Sequence, residues 1–306
     1  MGYLMFAFVI GLGVPIQTAV NSRLRSYVLS PYVASMVSFS VGTLFLLMLT
    51  LLTQHTVMIP STTFTSNPWW IWMGGLLGVI GLTTNILLFP KLGGVQTVIL
   101  PIMGQILMGM LIDSFGLFQS PTHPFNIFRL IGMMFLLIGV YAIVVLPHLR
   151  NRFSKPADGP LLPWQVLGIV AGMLMATQSS INGHLGKLLH SSIHAAFVSF
   201  LVGTIILVII VCSMRKLGNI RFALGNTPWW IWMGGIIGSF FVFGMSFLVP
   251  IIGTGMVVVM GLFGQIICSI CIDRFGLLGA TKTDIKRIQV VGIILMLCGV
   301  IMIKMF

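Results

Sequence analysis

Pro68-Trp69-Trp70-Ile71-Trp72-Met73-Gly74-Gly75 returns letter for letter, 160 residues further on, as Pro228 to Gly235. Outward from this octapeptide the match widens. At the same offset Pro90 pairs with Pro250, Gly104-Gln105 with Gly264-Gln265, and Ile112 to Gly116 (IDSFG) with Ile272 to Gly276 (IDRFG). At an offset of 161, Gln17, Asn21 and Leu24 recur as Gln178, Asn182 and Leu185, and VSFSVGT from Val37 recurs as VSFLVGT from Val198. So many landmarks at one spacing mark a duplication. The polar stretch from His148 to Pro163 separates the copies, dividing the chain into a first repeat over 1–150, a linker at 151–161 and a second repeat over 162–306.

Composition says what kind of solvent these copies inhabit. Of 306 residues, 58% are hydrophobic and 7% charged, whereas soluble domains carry roughly 25% charged residues. A soluble core cannot absorb that much apolar surface. Runs of about 20 residues, the length that crosses the hydrocarbon core, fall near 2–22, 31–53, 69–90, 93–112, 127–147, 162–183, 193–214, 229–250, 253–272 and 288–305. The expected fold is therefore an all-α polytopic membrane protein of ten transmembrane helices. Breakers delimit the runs: Ser30-Pro31, Asn67-Pro68, Lys91 to Gly94, Pro147 to Pro163, Thr227-Pro228 and Gly253. The tryptophans of the two PWW openings are expected at headgroup level, as an aromatic belt. The N-terminus MGYLMFAFVI lacks a basic n-region, so the first helix is expected to be retained.

Charge gives the orientation. Sixteen Lys and Arg face four acids, for a formal charge of +12. The bases lie between apolar runs rather than on one face, which argues against nucleic acid as a partner and for a topology signal. Thirteen follow the odd-numbered spans, and only Arg129, Lys187 and Lys304 lie on the other side. Odd-numbered spans are thus expected to end in the cytoplasm and both termini to lie outside. Because each copy has five spans, an odd number, the copies cross the membrane in opposite senses as inverted repeats.

The Q-x-x-x-N of the first span, the SFxVGT of the second, the PWW-x-x-x-GG-x-x-G opening the third and the GQ…D-x-FG of the fourth together resemble the YdcZ-type five-helix family of the drug/metabolite transporter superfamily. Over nearly its whole length the chain looks like a fused antiparallel duplicate of that family. The resemblance implies a bacterial inner-membrane transporter of small solutes, with a small-molecule substrate and membrane lipids as partners. It leaves the substrate, the direction of movement and the oligomeric state open.

Inverted repeats are an architecture of alternating access, with a polar site near the bilayer midplane. Gln105 and Gln265 fall about 5 Å from the middle of the fourth and ninth spans at 1.5 Å per residue. Beside Gly104 and Gly264 they read as hydrogen-bonding glue between the halves or as substrate contacts. Gln17 and Asn21 share a helix face, as do Gln178 and Asn182. They line a gate or cavity, or the asparagines cap helix ends. Asn85, in the triplet Thr83-Thr84-Asn85, is matched by Met245 in Phe243-Gly244-Met245, so it polarises one wall of a cavity or makes a lateral helix contact.

Asp113 and Asp273 end the fourth and ninth spans, where they accept a helix-terminal hydrogen bond or act in gating or proton linkage. Arg129 and Arg287 open the helices that follow and are their candidate partners. No span carries a central Asp or Glu, which disfavours proton exchange on a central carboxylate. His184, His190 and His194 are expected in a solvated outer loop, and the four cysteines as buried small hydrophobes with no redox or zinc role. No acid pair, metal-ligand spacing or Ser/His/Asp set lies inside the spans, so neither an enzyme nor a cofactor is expected. The alternative to a carrier is a non-transporting membrane scaffold or partner subunit. Inversion makes a direct prediction: cysteine labelling of the Arg25 and Lys187 segments reports opposite membrane faces, and labelling of both from one face refutes it.

Overall fold

The structure, a computed structural model, describes residues 1–122, 126–144, 146, 161–225, 227–280, 282 and 287–305. Among these residues the long elements are all helices: α1 (Gly2–Val28), α2 (Pro31–Gln54), α3 (Gly74–Gly93), α4 (Gln96–Phe115), α5 (Ile127–Val144), α6 (Leu162–Leu188), α7 (Ser192–Ser213), α8 (Gly234–Ile252), α9 (Thr254–Phe275) and α10 (Arg287–Met305). Eight of them, α1 to α4 and α6 to α9, are long and apolar enough to cross a membrane. Helices α5 and α10 carry shorter apolar stretches, Ile127–Ile143 and Val290–Ile303. The linker expected at 151–161 lies, apart from Leu161, outside the described residues.

The helices start and stop for local reasons. Ser30 and Ser191 stand just before α2 and α7, and their hydroxyls accept from the Val33 and His194 amides, satisfying donors that a helix start leaves open. Gly93 (φ 76°) and Gly253 (φ 80°) break the chain between α3 and α4 and between α8 and α9. A side chain would be strained there, so these two breaks depend on glycine.

Elsewhere the observed limits differ from the 20-residue runs. Helix α1 continues to Val28 because Leu24 and Val28 stay fully buried. Its end is then held by the Leu29 amide on the Arg25 carbonyl and by Asn219 Nδ2 donating to the Val28 carbonyl at 2.9 Å. Helix α6 likewise runs on to Leu188, which puts His184 inside a helix and buries it. His194 is buried in the first turn of α7, so neither sits in a solvated loop.

The PWW segments open as single 3₁₀ turns, Trp69–Trp72 and Trp229–Trp232, ahead of the α-helices. Trp69 and Trp229 are exposed (74% and 75%), whereas Trp70 and Trp230 turn inward against the core, so the expected belt is half as large. Cys212, Cys271 and Cys298 face outward rather than being buried. On a membrane helix the outward face is the apolar one, and a thiol sits there without penalty.

Burial is inverted relative to a soluble protein. Leu44, Met48, Leu52, Ile205 and Ile209 are exposed, while Gln17, Asn21, Ser38, Asn182 and Ser199 are buried. An apolar exterior around a partly polar interior is what lipid as solvent demands.

The copies interlock rather than sit side by side. Helix α1 packs on α8 and α9, and α6 packs on α3 and α4; α2 meets α7, α4 meets α9, and α5 meets α10. At the α2–α7 crossing the Phe39 and Phe200 rings lie 4.8 Å apart and the Thr43 and Thr204 hydroxyls hydrogen-bond at 2.8 Å. Each ring rests on the opposite glycine: a Cβ at Gly42 would overlap Phe200, and one at Gly203 would overlap Phe39. A second crossing is charged. The amides of Thr254 and Gly255, at the start of α9, donate to Asp113 Oδ1 and Oδ2 at 3.0 and 2.6 Å. A carboxylate at a helix N-terminus satisfies open donors and complements the helix dipole.

Two stability predictions follow from these crossings. Gly42→Leu overpacks the α2–α7 contact and lowers the apparent Tm in detergent by about 5 °C, the order expected for overpacking by 1–3 kcal/mol, whereas Leu44→Ala on the exposed face leaves it unchanged. Asp113→Ala removes both caps of α9 and lowers Tm by about 5 °C, with Asp113→Asn, which keeps one acceptor, falling between.

Candidate substrate path

Helices α1 and α6 carry the polar face of the structure, and equivalent positions on them do equivalent things. Asn21 Nδ2 donates to Ser38 Oγ at 3.1 Å, and Asn182 Nδ2 donates to Ser199 Oγ at 3.1 Å. Each Oδ1 is buried with no hydrogen-bond partner, against the first residue of a helix of the other copy: Asn21 at Gly234, Asn182 at Gly74. These asparagines therefore tie three helices together. Neither ends a helix, since α1 and α6 both extend beyond them.

One turn back, Gln17 and Gln178 face a small cavity of about 40 Å³ between the copies, walled by Phe39 and Phe200. Asn85 of α3 enters the same cavity with a buried, unpartnered Oδ1. Three amides thus converge on a space that holds about one water molecule, given the roughly 30 Å³ that a water occupies in the liquid. The neighbouring Thr83 is used laterally, its hydroxyl 2.8 Å from that of Ser35.

Gln105 and Gln265 are buried elsewhere. They flank seams where Gly104 lies against the Ile169 carbonyl and Gly264 against that of Phe8, and they are not among the residues lining the central cavity. Asp113 has both oxygens on the α9 amides and shares a cavity of about 40 Å³ with Arg129. Asp273 is buried at the corresponding end of α9.

Beyond the amides, the two ends of the molecule differ. At one end a cavity of about 850 Å³ opens between the last turns of α1 (Ser22, Arg23, Arg25, Ser26), the end of α3 (Phe89 to Gly93) and the turn Leu278 to Ala280 after α9. At the other end the equivalent elements are the last turns of α6 (Gly183, His184, Lys187), the end of α8 (Val249, Pro250) and the turn Phe118 to Pro121 after α4. There the space is closed. Ser120 Oγ lies 2.6 Å from Ser180 Oγ and 3.4 Å from Thr254 Oγ1, and the Trp70 ring packs 5.4 Å from both Phe118 and His184.

The two turns have the same backbone, left-handed at Phe118 (φ 56°, ψ 28°) and at Leu278 (φ 56°, ψ 22°). They differ in placement, not in fold. Sequence reasoning missed Phe39, Phe200, Ser120, Ser180 and the basic residues of the open mouth, reading the last as topology signals alone. A signal did exist, since Gln17, Asn21 and Arg25 recur every fourth residue along one face of α1.

Comparisons with known proteins agree with this architecture. The family described as "Putative inner membrane exporter, YdcZ" matches twice, over residues 2–142 and 163–302. No curated protein matches the chain significantly. A solved structure titled "Crystal structure of protein" has a similar fold, with a TM-score of 0.56 at 14% identity over 98% of this chain and 97% of that one. Because the two family matches together take in nearly all of the sequence, the chain belongs to the YdcZ family of drug/metabolite transporters, present here as two copies in one polypeptide.

Proposed function

We propose that the protein is an alternating-access carrier of small molecules in the bacterial inner membrane. In this reading its ten helices form two inverted repeats, 1–150 and 162–306, joined by a cytoplasmic linker at 151–161, and both termini lie outside. The observation that carries it is the pair of equivalent ends. The same turn, the same helix ends and the same first-helix face enclose about 850 Å³ at one end and nothing at the other. Two conformations related by exchange of the repeats' shapes follow from inverted duplication, and one of them has this asymmetry.

The open end is the one with Arg23, Arg25 and Lys91, the face that the charge bias assigns to the cytoplasm. The state is therefore inward-open. Gln17, Asn85 and Gln178 mark the barrier at the middle, with Phe39 and Phe200 as its walls, and Ser120 and Ser180 close the outer mouth. The family's description supports export as the direction. Transport rather than catalysis fits an interior whose polar groups are chiefly amides and hydroxyls, which hold a solute without activating it.

A reversible crosslink tests the mechanism. In a variant with the four native cysteines replaced by serine, Ser120→Cys and Ser180→Cys together should form a disulfide that stops solute movement in proteoliposomes, with full recovery on reduction. A crosslinked protein that transports at the uncrosslinked rate rules out opening of this mouth as part of the cycle.

A further inference from the structure

The open cavity has a chemical character that general carrier activity does not explain. Arg23, Arg25 and Lys91 line it, together with Ser22 and Ser26, and among the described residues no carboxylate lines it. Both guanidinium groups are held in place. Arg25 Nη1 donates to the Ile86 carbonyl of α3 at 2.9 Å, and Arg23 sits 5.3 Å from the Tyr27 ring with Nη2 3.4 Å from its hydroxyl. A guanidinium has five N–H donors in a fixed fork, so Arg25 retains donors for a ligand beyond its one backbone bond. The remaining lining is apolar, including Leu29, Phe89 and Leu278.

Topology alone accounts for bases on this face. It does not account for the other mouth. At the positions equivalent to Arg23 and Ser26, the closed end carries His184 and Lys187, and Lys187 is one of only three bases on the face read as external. The positions equivalent to Arg25 and Lys91 are Gly186 and Ile251 and histidine counts as neutral at pH 7, so the closed mouth keeps one charged base, Lys187, against the membrane's charge bias. Of the acids among the described residues, Asp113 is committed to the α9 amides and neither it nor Asp273 lines the open cavity.

We propose that the carried substrate is an amphipathic organic anion, its carboxylate, sulfonate or phosphate received by Arg23 and Arg25 and its apolar body by the Leu29, Phe89 and Leu278 wall. This rests on the carrier reading and supplies its substrate class.

The test is binding to purified protein in detergent, read by fluorescence polarisation, with two dyes of one ring system: fluorescein as its dianion and tetramethylrhodamine ethyl ester as a cation. Fluorescein should bind saturably and the cation should not. Arg23→Gln should weaken fluorescein about tenfold, as expected when charge-assisted contacts are lost, while circular dichroism shows an unchanged helix content. Arg25→Lys should retain more affinity than Arg25→Gln. Equal binding of the cation, equal binding by the charge-removal variant, or no saturable binding of fluorescein or other aromatic carboxylates overturns the proposal.

Competition separates two sources of the same anionic chemistry. Displacement of fluorescein by benzoate supports a soluble substrate, whereas displacement by dioleoylphosphatidylglycerol alone, with dioleoylphosphatidylcholine inert, assigns the cavity to a lipid headgroup and overturns it. Because binding needs no turnover, the two readings fail separately. A protein that binds fluorescein but moves no solute refutes the carrier reading, and one that moves neutral or cationic solutes while ignoring fluorescein refutes the anion.

Discussion

In hydrocarbon a helix gains nothing by hiding leucine from its surroundings, so helices hold together by close approach of their backbones and by the polar groups they share. Everything in this structure follows from how the two copies meet under that constraint. The first helix of each copy lies against the third and fourth helices of the other, and the closest points are glycines set against carbonyls or aromatic rings. Neither copy keeps such a partner alone. The pairing is reciprocal, as in a symmetric dimer, but here it is written into one chain.

That reciprocity puts polar side chains in the interior and decides which are structural. Asn21 and Asn182 each spend their amide donors on a serine of the next helix. Their oxygens, and that of Asn85, stay buried without a partner. Unsatisfied acceptors are costly and uncommon in native interiors, and these three lie in or beside the seam between the copies. Gln105 of α4 and Gln265 of α9 are buried beside the glycine seams instead, outside the lining of the central cavity.

A duplicated fold with equal contacts in both halves would be closed at both ends or open at both. Here the turns after α4 and α9 keep one backbone shape and take two positions, one sealed by Ser120 against Ser180 and the other standing away from α1. The two turns are thus copies of one backbone shape in two different settings within a single structure.

Much of this was legible in the sequence, because helix breaks and duplication are local or repetitive signals. Pro31 and Gly253 mark boundaries, although Pro15, Pro101 and Pro250 lie inside helices, and an octapeptide repeated at 160 residues needs no coordinates to be seen. The recurrence of Gln17 as Gln178 marks both as cavity candidates, whereas Asn85 stands out because the other copy has Met245 in its place. Other features depended on contacts between residues far apart in the chain. Helix α1 outruns its apolar stretch because Asn219, nearly two hundred residues away, holds its end, and Arg25 turns into a cavity because the Ile86 carbonyl lies within reach. The open mouth could not be read from the sequence at all. The two copies have nearly the same motifs at both ends, so only their packing in three dimensions decides which end is open.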